Sequence, residues 1–113
     1  MKLEPECGVT SISLRNAETL LWAYGTPAEI TLSYHEQADW FRVTVTWTEL
    51  IHIFTGFSWG YLGTGPHGLE AFFKMVGVET GLNEIASWPD ELGRTISMTP
   101  GQPIDFPSDP WSA

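Results

Sequence analysis

Two stretches of strictly alternating residues constrain the fold of this chain most strongly. Residues 29–35 (EITLSYH) and 40–47 (WFRVTVTW) each place apolar side chains at every second position. Alternation with a period of two predicts half-buried β-strands, and the polar sequence EQAD between them predicts a turn. We therefore expect an antiparallel hairpin with one face against the core: Ile30, Leu32, Tyr34, Phe41, Val43, Val45 and Trp47.

Other segments give weaker strand signals. Residues 9–14 (VTSISL) and 19–24 (TLLWAY) alternate over short distances, which predicts two further strands, and residues 94–98 (RTISM) predict an edge strand. Residues 48–54 (TELIHIF) are compatible with a short helix capped by Thr48 or with an extension of the preceding strand.

One helix is predicted after residue 64. Pro66 suits the first position of a helix, Gly65 or Thr64 would cap it, and Gly77 would end it. A shorter helical turn is expected around residues 82–86. The apolar residues of the main helix fall at i, i+3, i+4 and i+7 and form one stripe: Leu69, Phe72, Phe73 and Val76.

These elements predict an α+β fold. The 113 residues fit a single domain, in which an antiparallel sheet of four to five strands carries one main helix. We place this domain at residues 1–98. Residues 99–113 contain four prolines and predict an extended tail, in which Phe106 and Trp111 would pack on the domain or anchor a partner.

The charge balance restricts the partners. Fourteen acidic residues against five basic ones give a formal net charge of −9, and the basic residues are scattered. This distribution argues against direct binding of nucleic acids or anionic membranes, and it is compatible with a basic protein partner. A single cysteine, Cys7, excludes a disulfide framework within the chain. No apolar run approaches a membrane span, and we expect a cytoplasmic protein.

The Gly-rich stretch in residues 59–73 (WGYLGTGPHGLEAFF) is the strongest candidate for a ligand site. Its spacing matches G-x-G-x-x-G, but the parallel strand and the following acidic residue of a dinucleotide site are missing. A helix start can still bind a small anion. Alternatively, the glycines only permit a sharp turn. The possible ligand loop comprises Gly60, Gly63, Thr64, Gly65, His67 and Gly68.

Residues 57–73 (FSWGYLGTGPHGLEAFF) also resemble a motif of small uncharacterised phage and bacterial proteins. In that motif an aromatic-W-G-Y-G-G-x-G-P run precedes a helix, and this chain has Leu62 where the motif usually has glycine. The resemblance implies a compact α+β module of phage, mobile-element or bacterial accessory origin, and it brings no catalytic residues.

Catalytic and metal-binding patterns are weak. His35, His52 and His67 are far apart in sequence, and the Glu49–His52 pair is only half of a di-iron motif. No G-x-S-x-G sequence occurs. We therefore predict no catalytic residues, no metal and no cofactor.

The resulting prediction is a non-enzymatic, acidic binding protein. It would act as an inhibitor or immunity (anti-defence) module that occludes a basic site on a partner protein, and an edge strand could pair with a second copy. The predicted partner contacts are Glu36, Asp39, Trp40 and Trp111. The alternative is a protein that binds or sequesters a nucleotide or another small anion through the Gly-rich loop.

Overall fold

The predicted hairpin forms the centre of a β-sheet in the computed structural model, which describes residues 3–35, 37 and 40–104. Strands β1 (Glu29–His35) and β2 (Trp40–Thr46) pair antiparallel, with Ile30 opposite Val45 and Leu32 opposite Val43. All four of these side chains are fully buried. The face predicted from the alternation is confirmed.

Two further strands complete the sheet. Residues 51–54 form a separate strand, β3 (Ile51–Phe54), which turns back and pairs antiparallel with β2. Both alternatives for residues 48–54, a helix and an extension of the preceding strand, are therefore wrong. Strand β4 (Arg94–Ser97) pairs with β1 and lies at the other edge, as predicted. The order β3-β2-β1-β4 is antiparallel throughout, and helices pack on the sheet, so the α+β fold class is confirmed.

The strands predicted for residues 9–14 and 19–24 are wrong. These residues form one helix, α1 (Thr10–Tyr24). Its buried face follows helical spacing at Ser13, Asn16, Ala17, Leu20 and Leu21. Because two of these five positions are polar, the apolar residues alone did not show the helical period.

Helix α2 (Thr64–Val76) is the predicted main helix, and its four stripe residues are buried. It begins slightly earlier than expected, with Gly63 rather than Gly65 or Thr64 as the N-cap. Pro66 is thus the third helical residue, where its missing N–H removes no intrahelical bond. The helix ends at Gly77, which has the left-handed φ of 81° typical of a C-cap.

Helix α3 (Leu82–Ser87) matches the predicted helical turn and buries Ile85. The core also contains Trp59, whose indole Nε1 donates hydrogen bonds to the carbonyl oxygens of Pro89 and Asp90 at 3.0 and 3.2 Å. Trp59 therefore ties the segment before α2 to the segment after α3.

The beginning of the Pro-rich segment lies against the turn between α1 and β1. The N–H of Thr26 donates to the carbonyl of Gln102 at 2.8 Å, and the N–H of Gly101 donates to that of Thr26 at 2.9 Å. Ile104 packs against the core. Phe106 and Trp111 lie outside the described residues. In the described part of the chain, no helix has the length and apolar character of a membrane span.

Candidate functional site

A cleft of about 410 Å³ lies where the start of β2, the segment after β3 and the start of α2 meet. Thr64 and Gly65 line it from α2, and Thr55, Gly56 and Ser58 line it from the preceding segment. None of the described residues that line the cleft carries a formal charge. Its volume falls in the range of small-molecule pockets.

Trp40 forms one side of the cleft. Its side chain is 43% exposed, yet the indole Nε1 donates a hydrogen bond of 2.8 Å to the carbonyl oxygen of Thr55. The ring packs against Gly8, where a β-carbon would collide with it. Gly8 also has a φ of +77°, which a residue with a side chain rarely adopts. The ring is therefore held in place although it is partly open to solvent.

Tyr61 lines the same cleft and is held in a similar way. Its side chain is 49% exposed, and its hydroxyl shares a hydrogen bond of 2.8 Å with that of Ser58. The ring packs against Gly63, where a β-carbon would lie 2.8 Å from Cε2. Two large aromatic side chains are thus oriented by a hydrogen bond and by a neighbouring glycine.

The glycines of the predicted ligand loop serve several different contacts. Gly65 packs against the side chain of Ser58, and Gly68 lies against Thr10 of α1 and the ring of Phe57. Gly60 has a φ of +89°, and its N–H donates to the carbonyl of Ile85 at 3.0 Å. Of the loop residues, Thr64 and Gly65 line the cleft.

His67 is exposed, and its N–H donates to the carbonyl of Gly63 at 3.1 Å. Of the predicted partner contacts, Trp40 lies in the cleft. The other three, Glu36, Asp39 and Trp111, lie outside the described residues.

A buried carboxylate lies behind the cleft. Glu6 is 7% exposed and accepts hydrogen bonds from the hydroxyl of Ser13, from Asn16 Nδ2 at 3.1 Å and from the N–H of Thr55 at 2.9 Å. His52 Nε2 lies 2.5 Å from its Oε2. Ser13 Oγ in turn accepts the N–H of Gly56 at 2.9 Å. We call these groups (Glu6, Ser13, Asn16, His52 and Thr55) the Glu6 network.

The Glu6 network favours the ionised carboxylate. Burial alone would raise the pKa of Glu6, but the hydrogen bonds from His52, Ser13, Asn16 and the Thr55 N–H outweigh burial and leave that pKa below its ordinary value. The network joins the N-terminal segment to α1 and β3. It therefore also holds Gly8 beneath Trp40.

The amino-acid sequence gives no signal for this network, because its central carboxylate is distant in the chain from two of its partners. Glu6 lies 46 residues from His52 and 49 from Thr55. His52 belongs to the Glu49–His52 half-motif, but its acidic partner is Glu6. The described residues contain no group of three or more His, Cys, Asp or Glu side chains arranged to hold a metal ion.

No family model matches the chain, and neither the curated proteins nor the solved structures contain a match.

Proposed function

We propose that this chain is a non-enzymatic binding protein of the inhibitor or immunity type that covers a basic surface of a partner protein. The observation that carries the proposal is the pair of half-exposed, hydrogen-bonded aromatic side chains, Trp40 and Tyr61, in one uncharged cleft. Rigid aromatic side chains lose little conformational entropy on binding, and they are the usual energetic anchors of protein interfaces.

The charge distribution supports a basic partner. Acidic side chains are exposed at positions 4, 29, 49, 79, 84, 90 and 91. Three of the four described arginines and lysines already contact a neighbour: Arg15 contacts Glu4, Lys74 contacts Glu70, and Arg94 lies over the ring of Trp88. The surface field is therefore negative, which accelerates encounters with a positively charged surface.

The polar groups near the cleft support binding rather than turnover. Ser13 is completely buried and donates its hydroxyl proton to Glu6, so it is not presented as a nucleophile to a substrate in the cleft. Tyr61 is the one titratable side chain among the described lining residues. This set lacks the paired acid and base that general acid–base catalysis requires.

A second candidate function is the binding of a small ligand. It is favoured by the cleft volume of about 410 Å³ and by the position of Thr64 and Gly65 at the start of α2. The negative charge of the chain opposes an anionic ligand, so we rank this function second.

The proposal is tested by comparing partner binding by the wild type with that by Trp40→Ala and Tyr61→Ala. Trp22→Ala is the matched control, because Trp22 is 81% exposed on α1 and does not line the cleft. A partner identified by cross-linking and mass spectrometry is then purified and titrated by calorimetry at several salt concentrations.

We expect the wild type and Trp22→Ala to bind alike, the two cleft variants to bind at least tenfold more weakly, and affinity to fall as salt rises. Equal binding by all four proteins would contradict the role of the cleft. A rise in melting temperature with nucleotides, and no protein partner, would favour the second candidate.

A further inference from the structure

Four hydrogen-bond donors at one wall of the cleft are used within the protein. Trp40 Nε1 donates to the carbonyl of Thr55 at 2.8 Å, and Thr10 Oγ1 donates to that of Gly56 at 2.6 Å. The N–H of Gly8 donates to Thr55 Oγ1 at 3.0 Å, and the N–H of Gly56 donates to Ser13 Oγ. An anion against this wall would therefore find these four donors already occupied.

The carbonyl oxygens in these contacts, in contrast, each accept one hydrogen bond in the described part of the chain. A carbonyl oxygen has two lone pairs, so the carbonyls of Thr55 and Gly56 can each accept a second hydrogen bond. The hydroxyl oxygen of Thr10 uses its proton for Gly56 and keeps its lone pairs. The cleft therefore combines oxygen acceptors with the aromatic side chains of Trp40 and Tyr61.

A negative charge also lies behind the wall formed by Thr55 and Gly56. The carboxylate of Glu6 accepts the N–H of Thr55 at 2.9 Å, and its Oε2 lies 2.5 Å from His52 Nε2. No lysine or arginine is among the described residues that line the cleft, so no fixed cation competes with a guest. These features match a positively charged guest with many donors.

We infer that the cleft receives an arginine side chain of the partner, whose guanidinium lies against the rings of Trp40 and Tyr61. The planar guanidinium supplies five N–H donors for the oxygen acceptors and stacks on aromatic rings better than an ammonium group does. The inference rests on the proposed function, because a protein partner supplies the arginine. It adds the chemical group that the cleft selects.

The test uses blocked amino acids as probes, so that it does not depend on the partner. N-acetyl-arginine amide is titrated into the ¹⁵N-labelled protein, and the indole N–H signal of Trp40 is followed by NMR after assignment with Trp40→Phe. Nα-acetyl-citrulline amide has nearly the same shape as the arginine probe but no charge. Nα-acetyl-lysine amide carries the charge but lacks the planar guanidinium group. Inorganic phosphate tests whether the cleft binds an anion.

We expect a saturable shift of the Trp40 signal with the arginine probe and weaker binding of the lysine and citrulline probes. Tyr61→Leu removes the ring and should weaken arginine binding about three- to tenfold, whereas Tyr61→Phe keeps the ring and should retain most of it. Trp22→Leu should bind the arginine probe like the wild type. Each variant is first checked by its thermal unfolding curve.

Equal binding of the citrulline and arginine probes would overturn the inference, and so would a shift of the Trp40 signal with phosphate alone. The outcome is separable from that of the proposed function. If a basic partner binds through the cleft but the arginine probe does not, only the inference fails. If the arginine probe binds and no protein partner is found, the proposed function fails, but the inference that the cleft binds a guanidinium group holds.

Discussion

Replacing Glu6 with glutamine should destabilise the protein strongly, although the two side chains have nearly the same size. Oε1 of Glu6 accepts hydrogen bonds from Ser13 Oγ and the Thr55 N–H, and Oε2 contacts Asn16 Nδ2 and His52 Nε2. A glutamine side chain has only one oxygen. Its NH₂ group, which cannot accept a hydrogen bond, would therefore face the donors on one of these two sides.

The magnitude follows from the hydrogen bonds that the substitution breaks. At least two charge-assisted hydrogen bonds disappear, and each contributes about 1.5–3 kcal/mol. Relief from the burial of a charge offsets part of this destabilisation. We therefore expect Glu6→Gln to lower the free energy of unfolding by about 2–4 kcal/mol at pH 7, measured by urea denaturation.

The destabilisation should also depend on pH in a defined direction. The pKa of Glu6 in the folded protein lies below its ordinary value of 4.5, so the unfolded chain takes up a proton first as the pH falls. The stabilisation by Glu6 is complete above this unfolded pKa and is lost as the pH falls through the lower folded pKa. The difference between wild type and Glu6→Gln should therefore shrink below pH 4.5.

Glu4→Gln is the matched control. Glu4 lies two residues away in the sequence, and its side chain is 54% exposed where it contacts Arg15 at 3.2 Å. We expect its replacement to change the unfolding free energy by less than about 0.5 kcal/mol. The reasoning would be refuted if Glu6→Gln were as stable as Glu4→Gln, or if its deficit were the same at pH 3 and pH 7.

Two further predictions concern the contact of Gly68 with Thr10 and the predicted partner contacts Glu36 and Asp39. Gly68→Ala should lower the unfolding free energy by about 1–3 kcal/mol, because a β-carbon there would collide with Thr10 Cγ2 and would press on the ring of Phe57. Gly81→Ala, where no atom lies within 4 Å of the added carbon, is the control in the same thermal unfolding assay, and equal stability of the two variants would disprove the close contact. Neutralising Glu36 and Asp39 together should slow association with the partner and flatten its salt dependence in stopped-flow experiments. Unchanged rates at low salt would exclude that role.

The hairpin and α2 could be predicted from sequence because their signals are local. Four hairpin side chains are buried because successive residues of a strand point to opposite faces: Ile30, Leu32, Val43 and Val45. This alternation does not depend on the rest of the chain. The apolar stripe of α2 can similarly be recognised from its helical spacing alone, without knowing which residues it packs against.

Helix α1 could not be recognised in this way, because its buried face depends on a distant group. Ser13 and Asn16 can be buried because Glu6 accepts their hydrogen bonds. Glu6 is itself held by His52, which lies in β3, and by the N–H of Thr55, which follows β3. Hydrophobic periodicity treats apolar residues as the buried ones, so the short alternations in residues 9–14 and 19–24 predicted strands where the chain forms α1.

The amino-acid sequence by itself determined the α+β fold class, the hairpin, the stripe of α2, and Trp40 as a candidate contact. Only the tertiary structure decided that Trp40 and Tyr61 line one cleft, and that Glu6 lies behind it. The physical reason is that the cleft joins residues 8, 40, 55 and 61, which come from four separate segments. Their contacts form only when the sheet and both long helices have packed.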